Sequence, residues 1–592
     1  MRGRMGLTVL CGALALGCEN APVAMKGSLR SLTLLHTADI HSRVRPFRSR
    51  ISHFEADLGL GQALELDEMG GAARLATLLR GERAKAEADG TPLLWLDSGD
   101  ALEGAEVFHR FGGHVELELL SALGLGAMAL GNHELSLGAE ELAQLFAAEA
   151  EFLLLSANVR PRSGSPLERL LAPSTVLSVG GVSVGIVGVA NATSPPSLAS
   201  PDNPWGLEVA AAQARAVQQA IDLLSGHAAL IVLLSHQGLE QDHALVRGTS
   251  GIDLVLGGHQ HVLTAEPEWQ DDCASEALQT ERGCSPRRVP IVHSGAYLRW
   301  LSRVQLQLAP DPTSPGTVEL EDVAVTPLPL ARAVPEDPEV VAFLDARRAP
   351  AEPPLAHLPE PLRRRSALAG DSALGNFTVD AVRVASSADI VVLNSSGLRS
   401  DLEAGPLLRS DLDLAFPFDD AWRLVWLDGR TLRQGLERAA WRSAARDCES
   451  TLQVSGLRLT IRCAACLARR ADCLEIARPS LAGDSEPAAD AWLLVALPNY
   501  LALHGGDFEA VGSTGVELTT SVLDAVVRHL QSQPLAGDDE GCQRGLSSLS
   551  QVRCREAFGE LACPLTRAQA RATCRNLPSV EARRDGRVVV VP

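Results

Sequence analysis

Short apolar runs recur through the first three hundred residues and alternate with amphipathic stretches. Residues 31–36 (S-L-T-L-L-H), 92–97 (P-L-L-W-L-D), 127–130 (A-M-A-L), the run F-L-L-L-S-A-N from Phe152, 229–235 (A-L-I-V-L-L-S) and 252–257 (I-D-L-V-L-G) read as buried strands. Val/Gly alternation over 176–190 predicts further strands, as do 290–294 and 301–308. Apolar residues at helical spacing predict helices opening at Gly70-Gly71 (A-A-R-L-A-T-L-L-R) and over 114–123, 138–149 and 208–224. Residues 44–68 are charged, contain Gly and read as a loop. Strand–helix alternation predicts an α/β class, with a site at the edge formed by the strand C-termini.

That edge is where the polar residues collect. D-I-H at Asp39–His41, S-G-D ending at Asp100, G-N-H-E at Gly131–Glu134, S-H-Q-G with His236 and G-G-H-Q-H with His259 and His261 each follow an apolar run. Together they supply two Asp, one Asn and five His, counting His133. Two divalent ions about 3.5–4 Å apart can clamp a phosphoryl oxygen and activate water, and they need one shared ligand, which a carboxylate suits. Imidazole and carboxylate donors favour Zn, Mn, Fe or Co over Ca. The set points to metal-assisted displacement at phosphorus.

The remaining sequence sets the context. At 592 residues the chain is too long for one ordinary core. Pro density rises between about 309 and 361 (A-P-D-P-T-S-P-G, then A-P-A-E-P-P-L), with residues 337–348 able to form a helix, and marks an interdomain connection. The resulting division is a leader at 1–27, a first domain at 28–330, a linker at 331–361, a second domain at 362–535 and a Cys-rich extension at 536–592. With 53 basic and 73 acidic residues the net charge is −20, which argues against a nucleic-acid polymer as partner. It leaves room for a small anion, because bound cations reverse the field locally. Arg2, Arg4 and the apolar Met5–Leu16 segment read as an export signal, and L-A-L-G-C ending at Cys18 resembles a bacterial lipobox. Export to the periplasm or cell surface, with a lipid on Cys18 as the only membrane attachment, is the expectation. Of 12 Cys, 10 remain beyond Cys11 and Cys18, an even number that favours disulfides. Cys273 and Cys284 are the easiest pair to propose; the two clusters of four leave their pairings open, and Cys463-Ala-Ala-Cys466 also has a zinc-like spacing.

In their order, L-L-H-T-A-D-I-H-S-R, M-G-G-A-A-R-L, D-S-G-D, A-M-A-L-G-N-H-E, S-A-N, S-H-Q-G and G-G-H-Q-H resemble the 5′-nucleotidase family of dinuclear metallophosphoesterases. The resemblance covers residues ~32–300 and resumes at ~365–510. It implies a four-layer αββα calcineurin-like domain followed by a smaller α/β C-terminal substrate domain. It implies a first metal on Asp39, His41 and His261, a second on Asn132, His236 and His259, and Asp100 between them. The ions would be Zn, Mn or Co. His133 would sit over the phosphate and stabilise charge developing there. In the second domain N-S-S-G-L-R (Asn394–Arg399) resembles N-G-G-G-I-R, with Arg399 on phosphate; A-F-P-F-D-D places Phe418 on one face of a base; P-N-Y-L-A-L-H-G-G-D-F places Tyr500 on the other and Asp507 on ribose.

Three departures stand out. The family continues G-N-H-E with F-D, whose Asp orients the histidine, whereas this chain has Leu135-Ser136. That leaves slower turnover, a shifted pH optimum or a carboxylate supplied from elsewhere. Ser395 and Ser396 replace two glycines, which bears on close backbone approach. The Arg that precedes L-G-N in the family is missing, and Arg365 is the nearest. The expected function is hydrolysis of nucleotide phosphate esters, with 5′-monophosphates first and UDP-sugars or 2′,3′-cyclic nucleotides using the same parts. The alternative is a surface lipoprotein that binds nucleotide or metal and turns over poorly.

Overall fold

The computed structural model describes residues 30–591 except 194–197, 199–202, 204, 311–316, 349, 367, 419–420, 447, 480–483, 505–507, 509–514, 550, 560–561 and 581. The leader with Cys18, and Asp507, lie outside the described residues.

Strand Arg30–Thr37 runs parallel to Leu93–Asp97, and the parallel order continues through Ala127–Ala129, Leu153–Leu155 and Leu171–Ala172. The antiparallel strands Trp300–Pro310 and Val318–Pro329 complete this seven-stranded sheet. A second, six-stranded sheet sets Val182–Val189, Leu230–Ser235, Leu254–Gly257 and Arg288–His293 parallel, with antiparallel strands at both edges.

Successive residues of a strand point to opposite faces, so a strand covered on both sides is apolar throughout. Leu32, Leu34, Leu96 and Leu155 meet Val184, Ile186, Leu230 and Leu254 between the two sheets. Leu35, Trp95, Met128 and Leu154 face outward, into the core made with helices Ala72–Asp89, His114–Ala122 and Ala139–Glu149. Ile231, Leu233 and Val255 pack with helix Gln213–Leu224 on the far side. The result is the four-layer αββα arrangement, with the strand ends that precede the expected ligands on one edge.

Two local expectations fail. Residues 44–68 are not a loop: Phe47–Arg50 pairs with Leu66–Met69, and Ser52 caps the short helix His53–Asp57. Phe47, Ile51, Leu60 and Met69 bury against Trp300, a small core whose members are too scattered to show a period. The helix expected over 208–224 starts only at Gln213, because Leu207–Val209 pairs with Val159–Pro161. Pairing with a distant strand overrides the local helix preference of the alanines.

The proline-rich connection is shared between the two bodies. Helix Pro338–Asp345, capped by Asp337, buries Val340 and Leu344 in the first domain, whereas Ala356–Leu358 pairs with Gly405–Leu407 of the second. The second domain is a five-stranded sheet in the order Leu452–Ser455, Ile390–Asn394, Trp492–Pro498, Ala421–Asp428, Val516–Ser521. Helix Gly429–Ala444 covers one face; helices Ala373–Ser386 and Val522–Gln531 cover the other.

The ten described cysteines form five disulfides: Cys273–Cys284, Cys448–Cys463, Cys466–Cys473, Cys542–Cys574 and Cys554–Cys563. Cys463 and Cys466 are thereby committed to different partners, which removes the zinc reading. The end of the chain packs back on the second domain. Val588–Val591 adds a parallel strand to Arg458–Arg462, Arg587 pairs with Asp380, and Arg553 makes two 2.7 Å bonds to Asp411. No helix of the described residues is long and apolar enough to cross a membrane.

One buried acid lies behind the site. Glu116 is 1% exposed, and burial pushes its pKa up to about 7 from 4.5 although the Ser42 hydroxyl works against that rise. The folded state then holds a proton that the unfolded state releases, so this group's contribution is intact below pH 4.5 and is lost as pH rises through 7. Glu116→Gln is therefore expected to match the parent in unfolding free energy near pH 4.5 and to exceed it by about 3 kcal/mol at pH 8, since each pH step between the two pKa values is worth roughly 1.4 kcal/mol. Denaturation of both proteins at the two pH values measures this; equal gains at both would refute it.

Candidate metal centre

The expected ligands lie in loops that leave the sheets abruptly. Asp39, His41, Asp100, His259 and His261 all hold left-handed backbone, with φ of 53°, 50°, 55°, 75° and 58°. Such conformations are uncommon for residues with a side chain and concentrate at functional sites. Gly131 permits the closest approach between loops: a Cβ there would fall 2.3 Å from the Asp100 amide and 2.5 Å from a Glu134 oxygen.

Two clusters result. In the first, His41 Nε2 faces His261 Nε2 at 3.1 Å, and Asp39 Oδ1 lies 3.6 Å from His261 Nε2. In the second, Asp100 lies with His236 and His259, ligand atoms within 4.8 Å of one another. Asp100 Oδ2 stands 3.0 Å from His236 Nε2 and 3.8 Å from the Nε2 atoms of both His41 and His133, so one carboxylate joins the clusters. Asn132 Oδ1 is buried beside them without a hydrogen-bond partner.

The donor atoms fit a cation. His41 Nδ1 donates to the Glu103 carbonyl at 3.0 Å, and His236 Nδ1 to the Ser98 carbonyl at 2.7 Å. In the neutral His41 ring the bond to Glu103 leaves the Nε2 lone pair aimed at His261 Nε2, 3.1 Å away. Burial opposes charge on His236, but Asp100, 3.0 Å from its Nε2, with Asp39 and Glu134 raises the ring's pKa to about 10, so a cation bound there would take the place of the Nε2 proton. Acceptors converging on acceptors in a buried space are favourable only with positive charge between them. Burial, with neighbouring imidazoles and Arg399, lowers the pKa of His41 and His261, and that of His259 to about 3, so these rings are neutral and able to ligate. Burial opposes charge on Asp100, but His236 and His133 hold its carboxyl well below the ordinary range.

His36 and His293, which belong to none of the five motifs, are fully buried beneath the clusters. His36 bonds Ser294 and Ser98, and His293 bonds Asp242 at 2.9 Å. The former bond secures Ser98, whose carbonyl orients His236.

His133 sits at the mouth. Its ring stacks on Phe418 of the second domain, centroids 5.5 Å apart and 18° from parallel. A cavity of about 750 Å³ joins Asp100, Asn132, His133 and His259 to Asn394, Arg399, Phe418 and Tyr500. Arg399 lies over the Phe418 ring at 5.4 Å. The two serines that replace glycines hold ordinary backbone and have partners: Ser396 accepts from Asn394, and Ser395 donates to the Ser450 carbonyl. Arg365 does not line this cavity and pairs with Glu449, whereas Arg442 and Arg446 do line it.

Several residues escaped sequence reading. Arg442 and Arg446 fall in and just after the arginine-rich helix Gly429–Ala444, and nothing local sets them apart from its other arginines. Tyr297 packs edge-on to His261 at 5.0 Å and carries the buried Arg43 over its face at 3.8 Å. Glu134 accepts from the amides of Gly131, Asp100, Ala101 and Leu102 at 2.8–3.2 Å and staples two ligand loops together. Its place in G-N-H-E was the available signal. Glu103 Oε2 lies 2.6 Å from His133 Nδ1, and no motif flagged it.

Comparison with known proteins agrees with this geometry. Residues 32–263 match the model for calcineurin-like phosphoesterases, and 353–513 match that for the 5′-nucleotidase C-terminal domain. Human 5′-nucleotidase is 27% identical over 84% of this chain and 87% of that protein; the snake venom 5′-nucleotidase of Naja atra is 26% identical over 72% and 81%. A 5′-nucleotidase precursor from Thermus thermophilus superposes with a TM-score of 0.72 at 23% identity, covering 95% of this chain and 99% of that one.

Proposed function

Because this chain belongs to the family that joins a calcineurin-like phosphoesterase domain to a 5′-nucleotidase C-terminal domain, and is a hydrolase of phosphoester bonds, we propose that its substrates are nucleotides, with nucleoside 5′-monophosphates first. The observation that carries the reading is the cavity that sets the Asp100–His259 edge opposite Arg399, Phe418 and Tyr500. Phosphate and nucleoside then have separate, adjoining places.

Asp39, His41 and His261 would hold one divalent ion and Asn132, His236 and His259 the other, with Asp100 shared. Zn, Mn or Co suits these donors. Such a pair supplies charge neutralisation and Lewis acidity for attack of water on phosphorus. His133 presents Nε2 toward the space beside Asp100, where it would donate to a phosphate oxygen as charge develops. Arg399 would pair with the phosphate, a role a planar guanidinium performs by two parallel bonds. Phe418 and Tyr500 would hold the base, with Asn394 beside it; Asp507 would bind ribose.

Glu103 meets the need left by Ser136, and this disfavours the alternative of a binding lipoprotein with poor turnover. A second cavity of about 1120 Å³ shares Thr193, His259 and Arg446 with the first, which gives larger esters a place. UDP-sugars and 2′,3′-cyclic nucleotides therefore belong in the substrate screen. The five disulfides fit an oxidising compartment outside the cytoplasm, and lipidation at Cys18 is tested by labelled fatty acid incorporation into parent and Cys18→Ala.

The test is phosphate release by the protein lacking residues 1–18, supplied with Mn, Co or Zn and with AMP, UDP-glucose, ATP or a cyclic nucleotide. Release is expected, at least about 100-fold above His133→Ala, the scale of removing a preorganised donor. Activity no higher than that variant on every substrate would end the proposal. Chelation should abolish release, and re-addition of a divalent ion should restore it.

A further inference from the structure

His133 is held from an unexpected direction. Ser136, three residues on, donates its amide to the His133 carbonyl at 3.1 Å in a single 3₁₀ turn, Glu134–Leu137, and offers no carboxylate. The carboxylate comes instead from the loop that follows Asp100. Glu103 Oε2 lies 2.6 Å from His133 Nδ1, with the two side chains only 15% and 13% exposed. In this shielded setting a charge-assisted bond defines geometry better than it would in water.

The backbone of the same residue does a second job. The Glu103 carbonyl accepts the Nδ1 proton of His41 at 3.0 Å, which leaves His41 Nε2 to face His261 and Asp100. The loop can serve both rings because Glu103 is left-handed, φ 56°, and is followed by Gly104 at φ 154°. A Cβ on Gly104 would fall 2.4 Å from the His41 carbonyl oxygen, so the chain passes His41 as closely as it can. The start of the loop is pinned by Glu134 through the Asp100, Ala101 and Leu102 amides.

We propose that Glu103 is a positioning residue for both histidines: its carboxylate accepts the Nδ1–H of His133 and fixes the ring with its Nε2–H edge turned to the cavity, and its carbonyl accepts the Nδ1–H of His41 and leaves that ring's Nε2 lone pair to a cation. It thereby supplies the carboxylate that Ser136 does not offer. This rests on the reading of His133 as the group over the phosphate. Side chains three residues apart on a 3₁₀ turn eclipse each other, so an Asp at 136 would share a face with His133 and could resume the contact.

The variants that test it are Glu103→Ala, Glu103→Gln and the double variant Glu103→Ala/Ser136→Asp, each in the full chain. All three keep the 103 carbonyl, so His41 keeps its partner and bound metal should equal the parent's. Glu103→Ala is expected to lower kcat about 10²-fold or more with KM within threefold, Glu103→Gln to fall between, and the double variant to recover at least tenfold. Histidine ¹⁵N spectra of the metal-free proteins give a second readout: the Nδ1–H signal that His133→Ala removes should shift or broaden in Glu103→Ala and return in the double variant. Parental kcat in Glu103→Ala, or a loss that tracks lost metal and is not relieved by Ser136→Asp, overturns the proposal. A parent that releases no phosphate would refute the function instead, and the spectra would still decide the role of Glu103.

Discussion

Asp100→Asn is expected to lower phosphate release by at least about 10³-fold and to reduce bound divalent metal to one ion or fewer per chain. Asp100 is 2% exposed, and its carboxylate approaches imidazoles of both clusters, at 3.0 Å from His236 and 3.8 Å from His41. Asparagine keeps an oxygen for the His133 amide, which Asp100 Oδ1 accepts at 2.8 Å, so the loop should stay in place. What it loses is the negative charge and a second oxygen able to be shared. Removing one preorganised electrostatic group costs about 10²–10³ in rate, and here a shared ligand goes with it. Elemental analysis and phosphate release on the same preparation check both halves. Two ions retained with near-parental turnover would place the shared ligand elsewhere.

Glu134→Ala is expected to be the most destabilising change at the site, on the order of 4 kcal/mol or more, and to abolish activity through loss of geometry. The side chain is fully buried and satisfies four backbone amides from two loops. Each buried donor left without a partner costs about 1–3 kcal/mol, although water entering the gap recovers part of that. Thermal unfolding and amide exchange at Asp100–Leu102 measure the effect. A melting temperature indistinguishable from the parent's, with those amides still protected, would show that the loops hold without the staple. Both residues belong to recognised motifs, yet the two changes separate two failures: Asp100→Asn tests chemistry on an intact scaffold, and Glu134→Ala tests the scaffold.

How much of this was readable from the chain depends on how local each cause is. The candidate ligands could be picked out because each follows closely on its own strand, and the strands announce themselves as short apolar runs. Glu103 could not. It stands three residues beyond Asp100, where an acid before a short helix is ordinary, and its partner is 30 positions away across a loop that must turn left-handed to reach it. Arg442 and Arg446 look like solvent charges of an amphipathic helix until the second domain closes the cavity. The small core at Phe47, Ile51, Leu60 and Met69 and the final strand Val588–Val591 were missed likewise, their partners being remote.

The amino-acid sequence alone determined the α/β class, the edge on which chemistry would be found and the residue types gathered there, because periodicity and strand endings are properties of short stretches. The tertiary structure alone decided which atoms meet. Asp39 and His259 are 220 positions apart, and the His259 amide donates to the Asp39 carboxylate only because their strands belong to two sheets packed face to face. Ser136 announced that a carboxylate was missing beside His133; the fold of the Asp100–Gly104 loop decided that Glu103 would supply it.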